Sequence, residues 1–345
     1  MAIELKNISK KYNEKYAVKD LDLLIEDGKI TVLIGPSGCG KTTTLKLINK
    51  LIERTSGDIL FDGVSIDSID KIQLRRKIGY VIQEIGLFPH YNVFDNIAVV
   101  PKLLGWKKKK IENRVKELIE LVNLNYEEVI NKYPTELSGG QRQRIGVARA
   151  LAADPKILLM DEPFGAIDPI NREVLQDVFL DIQNKLKKTI VFVTHDIREA
   201  IKLGDKIAIF NNGKLVQYDK TLNIIKKPKN EFVKELLGKS AELNFLEFVK
   251  AEKVITDDFK IIKSLNDITE NKKSCYIFFS DSYRGFLTKN DINNNRYKLR
   301  EEYINYNDSV LEGLNIMFKN NIHFLPVLKE NKVIGILKYD SLMGD

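Results

Sequence analysis

The chain has 345 residues, 43% of them hydrophobic and 30% charged, which suffices for about two domains with cores of their own. No run approaches the ~18–20 apolar residues of a membrane span, and the start, MAIELKNISKKY, lacks the apolar core of a signal peptide. Cys39 and Cys275 are too few for a disulfide framework, His90, His195 and His323 are too scattered for a zinc site, and the net charge of +7 is spread out as on a solvated surface.

Residues 2–5 and 30–34 (AIEL, ITVLI) predict short strands. The second leads into Gly35-Pro36-Ser37-Gly38-Cys39-Gly40-Lys41-Thr42, which meets G-x-x-x-x-G-K-[ST] at every fixed position, and the chain from Thr43 is apolar at helical spacing. A glycine loop between a strand and a helix is a phosphate cradle, because its backbone can wrap the oxygens and its N–H groups point inward. Gly35, Ser37, Gly38, Cys39, Gly40, Lys41, Thr42 and Thr43 are the expected phosphate-binding set. Lys41 supplies a point charge and the Thr42 hydroxyl a Mg²⁺ ligand, whereas Cys39 is a small residue that fits.

Further on, Lys107–Lys110 open a predicted helix and read as a wet face. Leu137-Ser138-Gly139-Gly140-Gln141 precedes RQRIGVARALA, a second helix start able to bind an anion. Ile157–Met160 is all apolar, as in a central strand, and ends in Asp161 and Glu162. Carboxylates at the end of a parallel strand stand where such sheets bind ligands: Asp161 to hold Mg²⁺ through water, Glu162 to polarise an attacking water. His195 follows another strand, Thr189–Val193.

Together these motifs resemble the ABC ATPases over about residues 1–238. The resemblance implies an α/β P-loop NTPase cassette, with a mostly parallel sheet, a RecA-like core and a helical subdomain at about 90–150. It also implies residue roles. Tyr12 stacks on adenine, Gln83 senses Mg²⁺ and contacts the transmembrane partner, and His195 contacts the γ-phosphate. Gly165–Asp168 is the loop that communicates across the dimer, with glycine where serine is common. The implied catalytic set is Lys41, Gln83, Glu162 and His195, and the metal set Thr42, Gln83 and Asp161. ATP and Mg²⁺ are then held between one phosphate loop and Ser138, Gly139, Gly140 and Gln141 of a second copy, in a head-to-tail dimer.

A single cassette, with only roughly 95 residues between Lys41 and Leu137 and no sustained heptads, fits a transporter subunit better than an ATPase acting on nucleic acid. Residues 78–97 and 161–170 resemble the importers of glycine betaine, carnitine, choline or proline betaine; amino-acid and polyamine importers are the alternatives. Such a subunit implies transmembrane permease subunits, an extracytoplasmic substrate-binding protein, no nucleic acid, and a peripheral place on the cytoplasmic face of a bacterial membrane.

From residue 239 the chain changes character. Residues 277–287 align with 327–337 at an offset of 50, each half reading strand, turn, strand, short helix. Leu325–Leu337 resembles half of a cystathionine-β-synthase-type (CBS) pair, a small α+β tandem module. Such pairs bind adenine nucleotides, sense ionic strength or serve as spacers, and all three readings stay open. Thr288 and Asp291 keep the ribose-contact positions of the first half; in the second, Lys338 replaces the threonine and Asp340 falls one place early.

Overall fold

Ile30–Ile34 are buried at all five positions, so this segment has no polar face to offer water and forms a strand covered on both sides. The computed structural model describes the whole chain except residues 84–85, 166, 239, 269–272, 295 and 344–345. Glu84, Ile85, Ala166 and Lys239, which fall within segments singled out above, therefore lie outside the described residues. The chain divides into two units, Met1–Lys239 and Ser240–Asp345.

The first unit runs β1 (Ile3–Tyr12), β2 (Lys15–Ile25), β3 (Ile30–Ile34), α1 (Lys41–Ile48), β4 (Ser56–Phe61), β5 (Val64–Ser65), α2 (Lys71–Arg76) and β6 (Ile78–Val81). Four helices follow: α3 (Val93–Leu103), α4 (Lys108–Leu121), α5 (Tyr126–Val129) and α6 (Gly139–Leu151). It continues through β7 (Ile157–Asp161), α7 (Pro169–Leu186), β8 (Thr189–Val193), α8 (Ile197–Leu203), β9 (Lys206–Asn211), β10 (Lys214–Lys220), α9 (Thr221–Lys226) and α10 (Glu231–Leu237).

Six strands form one sheet in the order β10-β9-β3-β8-β7-β6, parallel throughout except for the β10–β9 edge pair. This order sets the C-terminal ends of β6, β7, β8 and β3 side by side, the edge at which parallel sheets bind ligands. Between β6 and β7 the helical segment packs on itself, α6 against α3 and α4, and meets the sheet at β6. Behind β7, Phe164, Phe179 and Phe192 stack with centroids 5.7–6.2 Å apart, fastening the chain after β7 to α7 and β8.

The expectation of a mostly parallel sheet covers only one of two sheets. β2-β1-β4-β5 make a separate antiparallel sheet, and the strand expected at 2–5 runs on to Tyr12. Its hydrophobic signal is blurred for a physical reason. Register shifts between Leu5 and Lys11 break the two-residue alternation, so Ile3, Leu5 and Ile8 reach one core out of step.

In the second unit come α11 (Ala241–Phe248), β11 (Phe259–Ile262), β12 (Cys275–Phe279), β13 (Tyr283–Thr288), α12 (Lys289–Asn293), β14 (Ile304–Asn305), α13 (Val310–Asn320), β15 (Phe324–Lys329), β16 (Lys332–Lys338) and α14 (Tyr339–Met343). The duplication is visible in the topology: β11-β12-β13 and β14-β15-β16 each pair a parallel strand with an antiparallel hairpin, then a short helix. The halves interlock, since Thr256 bridges to Ile336 and Lys338 Nζ lies 3.1 Å from Asp258 Oδ2. Gly335 is obligatory there, because a Cβ would stand 2.7 Å from the Ile255 side chain.

Candidate active site

The loop after β3 owes its shape to glycines in backbone regions that other residues avoid. Gly35 has φ 151° and Gly40 has φ 109°; an added Cβ would stand 2.2 Å from the Phe210 carbonyl oxygen or 2.4 Å from that of Ala17. Gly38, at φ 75°, faces open space, so conformation alone selects it. Lys41 is 6% exposed, and its ammonium is held over the loop by the carbonyls of Gly35 (2.7 Å) and Pro36 (3.0 Å). Thr44 Oγ1 donates to the Gly40 carbonyl at 2.9 Å and tightens the start of α1. Ser37 is exposed on the loop, and Thr43 is half-buried in the first turn of α1. Burial pushes the Cys39 thiol up, with Lys41 opposing, so this side chain packs rather than reacts at neutral pH.

The loop is joined to the neighbouring acidic strand end. Thr42 Oγ1 donates to Asp161 Oδ1 at 2.9 Å. Asp161 is 7% exposed, and burial raises its carboxyl above the ordinary range; the Thr42 bond opposes the rise and Glu162 adds to it. Burial and the Asp161 carboxylate lift the Tyr80 hydroxyl to about 12. A hydroxyl beside a buried carboxylate is a hard-oxygen donor set, and a carboxylate poorly compensated by protein cations gains from a metal ion. The residues present therefore fit Mg²⁺.

Glu162 takes φ 45°, a left-handed conformation rare for a side chain of its size, and its N–H donates to the Val193 carbonyl at 3.0 Å. This turn aims its carboxylate across the sheet edge. Gln83 Nε2, from the end of β6, donates to Glu162 Oε2 at 3.3 Å, and His195 Nδ1, from the end of β8, lies 3.1 Å from the same oxygen. Three strand ends thus converge on one carboxylate oxygen. Backbone strain of this kind, held by its surroundings, marks functional sites.

Other expected residues stand on separate surface elements, and no bond joins them to this group among the described residues. Tyr12, at the end of β1, is 49% exposed with Lys10 Nζ 4.7 Å from its ring centre. Ser138 caps α6 reciprocally with Gln141: Gln141 N donates to Ser138 Oγ at 3.2 Å, and Ser138 N to Gln141 Oε1 at 2.9 Å. Gly139 and Gly140 open the first turn, and neither brings a side chain to it. Asp168 caps α7 through Asn171, whose bonds hold its carboxyl below the ordinary range. Sequence reasoning missed Thr194, bonded to the buried Glu199 at 2.6 Å, and Arg172, 3.8 Å from Asp196, which hold the residues on either side of His195; no local pattern signals them.

In the second unit, Thr288 caps α12, and both its N–H and its hydroxyl donate to Asp291 Oδ2, at 3.0 and 2.7 Å. Burial pushes Asp291 up, but the Thr288 bonds and Arg300 at 3.4 Å outweigh it and hold the carboxyl below the usual range.

A family model described as "ABC transporter" matches residues 18–165. The osmoprotectant import ATP-binding protein OsmV of Salmonella typhimurium is 52% identical over 72% of this chain and 66% of its own length. The glycine betaine/carnitine/choline transport ATP-binding protein OpuCA of Bacillus subtilis is 42% identical over 99% of this chain and 98% of its own, so it spans both units. Among solved structures, a dimeric bacterial ABC transporter cassette superposes with a TM-score of 0.57 at 34% identity, covering 63% of this chain and 98% of that one.

Proposed function

The chain belongs to the ATP-binding subunits of ABC transporters, and from that premise we propose that it hydrolyses ATP to power import of quaternary-amine osmoprotectants. One observation carries the enzymatic part: Gln83, Glu162 and His195 meet at a single carboxylate oxygen, beside the Lys41–Thr42–Asp161 group. Lys41 and the loop amides bind the β- and γ-phosphates. Thr42, Asp161 and Gln83 would hold Mg²⁺, which when bound neutralises phosphate charge. Glu162 accepts the proton of the attacking water, with Gln83 and His195 fixing its orientation. Tyr12 stacks on adenine. Ser138, Gly139, Gly140 and Gln141 close on the nucleotide of a second copy, and Asp168 stands in the loop facing that copy. The dimeric arrangement of the similar solved cassette supports this pairing.

The cargo reading rests on breadth of similarity. The glycine betaine/carnitine/choline relative matches both units, whereas likeness to the cassette alone would leave amino acids and polyamines open. On this reading the subunit sits peripherally at the cytoplasmic face, docked on transmembrane permease subunits that receive cargo from an extracytoplasmic substrate-binding protein. Among the described residues no helix is long and apolar enough to cross a membrane. The second unit acts as a CBS-type regulatory pair; its first half offers Thr288 and Asp291 to an adenine nucleotide or dinucleotide, while Lys338 occupies the matching place in the second.

The test is uptake of labelled glycine betaine, choline and carnitine by cells expressing the subunit with its cognate permease, before and after osmotic upshift. Uptake that rises with osmolarity is expected, and deletion of residues 241–345 should make it indifferent to salt. No uptake of any of the three, with ATPase activity intact, would sink the osmolyte reading; unchanged osmotic control in the deletion would sink the regulatory one.

A further inference from the structure

Next to the assembled site, the first unit carries a polar network, buried at Gln176, Glu199 and Thr194 and half-buried at Arg172 and Asp196, that the proposed chemistry leaves unused. It follows one face of α7. Arg172 Nη2 donates to the Ile167 carbonyl at 2.9 Å, and Arg172 Nη1 lies 3.8 Å from Asp196 Oδ2. Gln176, four residues on and so on the same face, donates to Glu199 Oε1 at 3.2 Å. The other Glu199 oxygen accepts from Thr194 Oγ1 at 2.6 Å, and Thr194 Oγ1 accepts from Asp196 N at 3.0 Å. His195 therefore sits between two residues, Thr194 and Asp196, that are both anchored to α7.

We infer that Arg172 is a positioning residue that ties the backbone at Ile167 to the His195 turn and so sets where the imidazole stands relative to Glu162. This rests on the reading of His195 and Glu162 given above. A guanidinium suits the task, because its planar fork holds a carbonyl and a carboxylate at once and keeps its charge. The Arg172 Nε is buried and has no acceptor among the described residues, an expense that a simple structural staple would avoid. Its reach to Asp196 is an ion-pair distance rather than a hydrogen bond, which leaves the two room to close. Asp196 Oδ1 meanwhile accepts from Arg198 N at 2.8 Å at the start of α8, so a pull on this carboxylate moves the whole turn.

The experiment is a double-mutant cycle on ATP hydrolysis by the purified full chain, with Arg172→Gln, Asp196→Asn and both together. Each single change should lower kcat about tenfold with KM for ATP within about twofold, and the double should be no slower than the worse single, since both cut one tie. Arg172→Lys, which keeps the charge but not the fork, should fall between wild type and Arg172→Gln. Losses that multiply in the double, a wild-type kcat in Arg172→Gln, or a kcat loss tracking a fallen melting temperature would each overturn the inference. His195→Ala separates the two levels. If it turns over like wild type, the reading of His195 is wrong; if it is inactive while Arg172→Gln is unaffected, only the tie fails.

Discussion

Replacing Asp161 by asparagine is expected to stabilise the first unit while stopping its chemistry. Burial is the main reason this carboxyl titrates above the ordinary range. A raised folded-state pKa means the native chain binds the proton more tightly than the unfolded one. Ionised Asp161 therefore subtracts stability, fully above its folded pKa and no longer once pH falls below the unfolded value near ~3.9. Asparagine keeps an oxygen to accept from Thr42 Oγ1, now at 2.9 Å, and discards the charge. Changes of this kind gain about 0.5–2 kcal/mol, and about 1 kcal/mol raises the melting temperature of a unit this size by ~2–4 °C. Calorimetry of the full chain at about pH 7.5 should show that rise, shrinking toward about pH 4.5. With MgATP at about a hundred times its Kd, the ligand adds ~2.7 kcal/mol to wild type, and the order should reverse. An asparagine variant less stable than wild type at neutral pH without nucleotide would refute the reasoning.

Other consequences follow from single positions. Gly40→Ala forces a Cβ to within 2.4 Å of the Ala17 carbonyl oxygen at a φ of 109°, so it should cost more than about 2 kcal/mol in denaturant unfolding and abolish nucleotide binding. Ser138→Ala removes the cap of α6 and should cost about 1 kcal/mol. If Ser138 also serves a neighbouring nucleotide, sedimentation will show ATP-driven dimers weakened well beyond that stability loss; dimers of unchanged strength would confine Ser138 to capping.

The shape of the glycine loop and the place of the acid pair at a strand end were legible because short-range chemistry dictates them. Gly35 and Gly40 answer to carbonyls that no Cβ can approach, and Asp161 follows an unbroken apolar strand. The duplicated hairpins of the second unit were legible too, although the linkers differ in length, residues 280–282 against 330–331, which an ungapped alignment conceals. What stayed hidden depends on long-range packing. The antiparallel sheet escaped because β1 is irregular in register. The grip of α7 on the His195 turn escaped because Arg172, Gln176 and Glu199 read as ordinary polar residues of amphipathic helices until burial brings them together.

The central claim is that Glu162 activates water at a site whose other groups bind the nucleotide. Its most direct test is Glu162→Gln in the purified full chain, following ATP turnover, ATP affinity and ATP-dependent dimerisation side by side. Amide for carboxylate preserves size and an acceptor for Gln83, now at 3.3 Å, but cannot take a proton at neutral pH. The account predicts turnover reduced by at least about a hundredfold, with affinity within a few-fold and the dimer stabilised by the unhydrolysed nucleotide. Turnover at the wild-type rate would contradict it.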